Sequence, residues 1–402
     1  MLQSLTARRT AHRPGTTVGL LSTAHFVNDA YGTVYPALVP YMMALLHWSV
    51  TVSALVGAVG WASQVAQPFL GRFVDARPNR FYTGLALLAG SLAVFAEPFT
   101  RNYGLFLVLI IVGGLAGSLF HPPSLSVMGQ IGGEHRGSRM AVFMVAGNIG
   151  RAVGPLTTSL LILWAGGHVT GAAWIAVPGL LLALGTLVWT PRPSERHPDH
   201  DAGGGAIRLL WRRAKPTAVL LGLSGTRALA TSSLVALLPV WERLQGHSAL
   251  QSSFLLGVLL FVGSFGNGFG GWLSDRWPRR RILVAAALGS GAALLAYVPS
   301  HGILQVLLIG LVGLFAMSTS SITMLMGQEL FPESRAMASG IALGVGNAFG
   351  AVLVALLSLV AGRLGIPTAL TLAGVLVLAG SPLAYLYERW AARPADPAVR
   401  PA

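Results

Sequence analysis

Six polar or ionisable residues stand inside apolar stretches of this 402-residue chain: His25, Asn28, Asp29, His121, Arg151 and Arg227. A bare charge in hydrocarbon costs a few kcal/mol even on lenient insertion scales, so each should face a cavity or a partner. Asp29 falls about 12 residues into its stretch, near mid-membrane at a rise of about 1.5 Å per residue. His25 lies one turn earlier, and Asn28 shares that face. A carboxyl group in a cavity holds or releases its proton according to the charges beside it, which suits a proton carrier. The competing reading of Asp29 is a fixed Asp–Arg clamp between helices. His25 reads as a proton relay or as a neutral hydrogen-bonding group. The guanidinium forks of Arg227 and Arg151 match phosphonate or carboxylate oxygens. Arg151 also reads as a structural partner for a residue such as Asp29. His121 precedes Pro122, so it either contacts substrate or bonds a carbonyl that the proline frees.

These residues need elements to hold them, and composition says which. The chain is 53% hydrophobic and 10% charged, against about 25% charged in soluble domains. Stretches of roughly 20 apolar residues recur twelve times, at 17–46, 51–71, 81–98, 103–128, 140–165, 172–189, 217–241, 250–274, 282–299, 303–326, 336–362 and 367–388. The predicted fold is an all-α polytopic membrane protein of twelve transmembrane helices in two six-helix bundles. Residues 1–16 form a cytoplasmic tail, 17–189 the first bundle, 190–216 a Pro-, Gly- and charge-rich linker, 217–390 the second bundle and 391–402 a second tail. With both termini cytoplasmic, 22 Lys and Arg residues fall on the cytoplasmic side and 3 on the outer side. This positive-inside bias orients the chain. It also accounts for the net charge of +14 through topology and lipid contact, not nucleic acid. Glu97, near the outer end of its span, reads as interfacial.

Displacing the sequence by 200 residues superimposes two loops. Gly71, Asp75, Pro78 and Arg80 fall on Gly271, Asp275, Pro278 and Arg280, with Arg77 and Arg276 nearby. Gly147-Asn148 returns as Gly346-Asn347. Two parallel repeats of six helices are the expected architecture. At a helix end, an acid that pairs with a neighbouring arginine in one conformation and releases it in another is a conformational latch. The competing reading is a solvated turn. Gly150, Gly154 and Pro155 read as close helix packing.

The paired G-x-x-x-D loops resemble the major facilitator superfamily. The run Gly150-Arg151-Ala152-Val153-Gly154-Pro155 resembles the antiporter motif of that superfamily. More narrowly, His25-Phe26-Val27-Asn28-Asp29, Phe120-His121-Pro122, Gly147-Asn148 and Gln328-Glu329-Leu330-Phe331-Pro332 are similar to the fosmidomycin-resistance subfamily. The resemblance implies alternating access in the cytoplasmic membrane and proton-driven export of a small anionic drug such as a phosphonate antibiotic. It also implies a cavity lined by the first, fourth, seventh and tenth helices, which places Asp29, His121 and Arg227 on it. Export of other drugs, or carriage of a native anionic metabolite, is the alternative. No nucleotide-binding glycine loop is present, so an ion gradient must supply the energy. His25-x-x-x-Asp29 would also suit a base or metal pair in an intramembrane enzyme. There is no H-E-x-x-H, no second carboxylate cluster and no cysteine. Neither catalysis, a resident metal nor a cofactor is therefore expected, and the chain is expected to act as a monomer.

Overall fold

The computed structural model describes residues 14–131, 136–191, 213–331 and 341–391. The tails, most of the linker and Arg335 lie outside them. All twelve apolar stretches are helical where described, and no strand occurs among the described residues. Nine helical runs among these residues are each long and apolar enough to cross a membrane.

The helices are α1 (Pro14–Tyr31), α2 (Val34–Leu46), α3 (Val50–Ala62), α4 (Gln67–Ala76), α5 (Tyr82–Ala96), α6 (Tyr103–Ile131), α7 (Arg136–Trp164) and α8 (Ala176–Trp189). After the linker come α9 (Ala214–Leu244), α10 (Ala249–Ser274), α11 (Arg279–Tyr297), α12 (Gly302–Met317), α13 (Ser320–Leu330), α14 (Gly346–Leu364), α15 (Ile366–Ala379) and α16 (Leu383–Ala391). Several predicted spans are broken rods. The first stretch divides into α1 and α2 at Gly32-Thr33. There the Thr33 hydroxyl donates to the Ala30 carbonyl at 2.9 Å and lies 3.1 Å from the carbonyl of Arg151. The tenth divides at Ser318-Thr319, between α12 and α13. Such interruptions survive at membrane depth because side chains and neighbouring helices satisfy the freed backbone groups.

The chemistry of inside and outside is that of a protein in lipid. Large apolar side chains such as Phe69, Trp164 and Ile303 face outward, while Ser53, Thr158, Ser224 and Ser232 are buried. Of these, Ser53, Ser224 and Ser232 have hydroxyls without a hydrogen-bond partner among the described residues, whereas other buried hydroxyls bond their own helix. Thr158, for example, donates to the Gly154 carbonyl at 2.8 Å.

Close contacts divide the molecule into two compact units. The first draws on residues 1–35 and 69–196, hence α1 and α4 to α8. The second draws on 36–68 and 197–402, hence α2, α3 and α9 to α16. The α2–α3 segment, which the sequence divides into the first bundle, packs with the second unit. Gly57 of α3 faces Ala236 of α9, and Thr51 faces Gly362 of α14.

In the second unit, side chains tie helix ends together. Arg279 grips Glu329 through two bonds of 2.6 and 2.8 Å, and Arg280 meets Glu388 at 2.8 Å. Glu242, 1% exposed, accepts from Gln305 at 2.9 Å and lies 2.6 Å from His247 Nδ1.

Candidate functional site

The first unit gathers four of the six expected residues around Asp29, which is 6% exposed. Arg151 of α7 donates to its Oδ2 at 2.6 Å. Asn28 donates to Oδ1 at 3.1 Å. His25 Nε2 stands 3.5 Å from Oδ2, and His121 Nε2 of α6 stands 3.6 Å from Oδ1. The carboxylate therefore joins three helices.

The imidazole of His25 is fixed by its packing. It stacks on Phe143 at 4.1 Å between centroids and on Phe120 at 6.0 Å, with His121 edge-on at 5.2 Å. Gly147 makes room for this, since a methyl group there would run into the ring. One turn along, Gly150 lets α7 approach the Phe26 carbonyl of α1 closely enough for Arg151 to reach Asp29.

The hydrogen bonds assign a tautomer. His25 Nδ1 lies 2.8 Å from the Phe143 carbonyl, which only accepts, so Nδ1 carries hydrogen. In a neutral ring, Nε2 then presents a lone pair toward the Asp29 carboxylate. Two acceptors facing each other at 3.5 Å call for something positive between them. Arg151, which donates to the same oxygen at 2.6 Å, supplies positive charge there.

The second unit carries the other expected residue. Arg227 of α9 is 8% exposed and donates to Asn347 Oδ1 of α14 at 2.7 Å. Its contact is with a neutral amide, whereas Arg151 holds a carboxylate. Arg151 is thus paired with an acid, and Arg227 keeps a guanidinium in a polar, buried setting.

In the first copy of the repeated loop, the Asp75 side chain lies outside the described residues. Arg77 sits over the Phe73 ring at 5.7 Å and Arg80 over Phe81 at 4.7 Å. Gly71 packs beside Pro122. In the second copy, Gly271 packs beside Ser321, and Asp275 ends α10 with its N–H on the Leu273 carbonyl. Arg276 stacks on Trp272 at 4.1 Å, and Arg280 binds Glu388 of α16. Gly154 and Pro155 are buried, and Gly154 abuts Ala30 and Thr33 of α1. Glu97 is packed inside the protein: it is 3% exposed, and its Oε2 has no hydrogen-bond partner. Asn347, Glu388 and the Glu242–His247–Gln305 group were not expected from sequence. For Asn347 the Gly-Asn echo was the available signal.

Comparison with known proteins adds the lineage. A family model described as Major Facilitator Superfamily matches residues 20–354 and again 265–402. The chain is 26% identical over 367 residues to the uncharacterized MFS-type transporter YfnC of Bacillus subtilis (strain 168), covering 86% of this chain and 87% of that protein. It is 25% identical over 378 residues to the fosmidomycin resistance protein of Escherichia coli (strain K12), covering 90% of each. A bacterial homologue of the human lysosomal transporter Spinster, solved in an inward-facing and occupied conformation, superimposes with a TM-score of 0.76. Identity there is 15%, over 93% of this chain and 97% of that one. The nucleoside transporter NupG gives 0.75 at 15% identity, over 93% of this chain and 99% of that one. These structural likenesses concern the fold alone.

Proposed function

We propose that this chain, which belongs to the Major Facilitator Superfamily and is a multi-pass membrane transporter, is a proton-coupled exporter of small anionic drugs, fosmidomycin among them. It works by alternating access in the cytoplasmic membrane, with both termini cytoplasmic. The proton gradient drives it without a cofactor, and it acts as a monomer.

The observation that carries this reading is the buried Asp29 held at 2.6 Å by Arg151, with His25 and His121 beside it. With Asp29 charged, the ion pair clamps α1 to α7. A proton on Asp29 removes the charge that holds Arg151, so the clamp loosens. Proton and drug can then be exchanged if each favours a different arrangement of the helices. The anion falls to Arg227, because the guanidinium of Arg151 is engaged by Asp29 in the clamped form. The arginine-rich loops after α4 and α10 bias the same change as latches. The likeness to the fosmidomycin resistance protein over 90% of both chains supports the drug class.

The test is growth inhibition in a bacterium lacking its main efflux pumps, with wild type and Asp29→Asn expressed at matched levels. Protection by wild type alone, mainly against fosmidomycin and abolished when the proton gradient is collapsed, is the expected result. Protection against none of a set of anionic, cationic and neutral drugs would redirect the search to native anionic metabolites.

A further inference from the structure

We infer that the His25–Asp29–His121 cluster binds one divalent transition-metal ion of the zinc class, in competition with the proton. This goes beyond the sequence, which offered His25 and Asp29 only as a pair and led to no expected metal, because the third ligand comes from a helix about ninety residues away. It rests on the same side chains as the proton site but not on the export reading.

Three observations support it. First, the three groups each present one ligand atom, and these atoms lie within 4.8 Å of one another. One separation, 3.6 Å between His121 Nε2 and Asp29 Oδ1, matches the spacing of about 3.4 Å between ligands of a tetrahedral ion bound at about 2.0–2.1 Å, while His25 Nε2 lies 3.5 Å from the other oxygen, Oδ2. Second, His25 donates Nδ1–H to the Phe143 carbonyl at 2.8 Å. That bond orients a metal-binding imidazole and turns its Nε2 lone pair toward the ligand. Third, two imidazoles and one carboxylate are the donor set of zinc, cobalt and nickel rather than of magnesium or calcium. With three protein ligands, the fourth position stays open.

Arg151 sets the cost. It occupies Oδ2 at 2.6 Å, which leaves Oδ1, the oxygen nearer His121, for the ion. Arginine and metal therefore oppose each other at one carboxylate, and removing the arginine should tighten metal binding. Protons oppose it too, since both imidazole lone pairs are needed, so binding weakens as pH falls.

The probe is cobalt(II), titrated into the purified full chain in detergent and followed by the visible absorption of four-coordinate cobalt, with zinc as competitor. One ion per chain should bind and be displaced by zinc. His25→Ala and His121→Ala should each weaken binding by roughly tenfold or more, and Arg151→Gln should tighten it several-fold. No saturable uptake by the wild type, or wild-type binding by a His25→Ala, His121→Ala double variant, would overturn the site. Arg151→Gln keeps all three ligands and so guards against a misfolded alanine variant; unchanged or weaker binding there also counts against the inference. Metal binding is read on purified protein and drug export on cells, so either can fail while the other stands.

Discussion

The two units give an arginine inside an apolar helix opposite partners, Arg151 being partly exposed and Arg227 buried. In the first, the acid sits on the first helix and the arginine on the fifth, and the two meet at 2.6 Å. In the second, Arg227 occupies the first helix, 198 positions after Asp29, and meets a neutral amide, Asn347. At the offset that superimposes Gly147-Asn148 on Gly346-Asn347, Gly350 stands where Arg151 does. The backbone scaffold has been kept while the charge has moved across it. Gly150 abuts Phe26 in one unit and Gly346 abuts Ser224 in the other, so small residues allow the same close helix crossing. Pseudo-symmetry in the packing thus coexists with asymmetry in the chemistry. At the paired sites, the arginine of one unit faces a carboxylate and that of the other a neutral amide.

The most direct way to break that contrast is to remove the acid. Asp29→Asn keeps the shape and the bond from Asn28's neighbourhood but loses both the negative charge and the proton. Drug protection should fall to the level of cells without the transporter, a loss of at least about tenfold in transport for a catalytic proton group. Cellular drug accumulation with and without a proton gradient measures it. Retained gradient-dependent export would place the proton elsewhere.

A second experiment makes the units alike. Asn347→Asp puts a carboxylate within reach of Arg227 and imitates the Asp29–Arg151 pair. A charge-assisted bond is worth about 1.5–3 kcal/mol, so the purified protein should melt at least as high as wild type. Drug affinity should fall severalfold, because the guanidinium is now paired with a negative charge that competes with the anion. Equilibrium binding of labelled drug to the purified protein reports the loss. Unchanged affinity would exclude Arg227 as the anion's ligand.

A smaller effect tests how the first unit is built. Gly147→Ala pushes a methyl group into the His25 ring, displacing it from Phe143 and straining its bond to the Phe143 carbonyl. Overpacking of this kind costs about 1–3 kcal/mol, read as a lower melting temperature. Gly346→Ala, which meets the side chain of Ser224, should cost a similar amount without altering proton dependence. The pair of variants separates packing, shared by the units, from chemistry, confined to one.

Much of this was legible in the sequence. Asp29, Arg151, Arg227, His25 and His121 stood out because ionisable groups in apolar stretches are expensive. The helical character of the twelve apolar stretches, where described, followed from length and hydropathy. The pairings did not follow. Arg151 lies 122 residues from Asp29, and nothing local prefers it to Arg227 as a partner. Lipid-facing helices are apolar all round, so periodicity says little about which face meets which neighbour. For the same reason, neither the burial of Glu97 nor the packing of residues 36–68 with the second unit could be foreseen. Both depend on which helices meet, not on local sequence.

The smallest expected effect concerns the other ion pair that the repeat brought to attention. Arg280 and Glu388 meet at 2.8 Å, nearly as close as Asp29 and Arg151. Distance alone would rank the two together, and the arginines are similarly exposed, at 34% and 38%, but the burial of the acid separates them. The side chains of Arg280 and Glu388 are 38% and 47% exposed, whereas that of Asp29 is 4% exposed. Exposed pairs contribute about 0–1 kcal/mol, because water screens the attraction and two long side chains lose freedom. Arg280 also rests on the Tyr385 ring at 4.9 Å, a contact that survives loss of the acid. Glu388→Gln should therefore leave the melting temperature within a degree or two of wild type, at about the scale of 1 kcal/mol for a chain of this size. If the pair is only a surface contact, transport is also unchanged. If it latches one conformation, transport rates shift while stability does not, and that dissociation would mark the loop as a moving part.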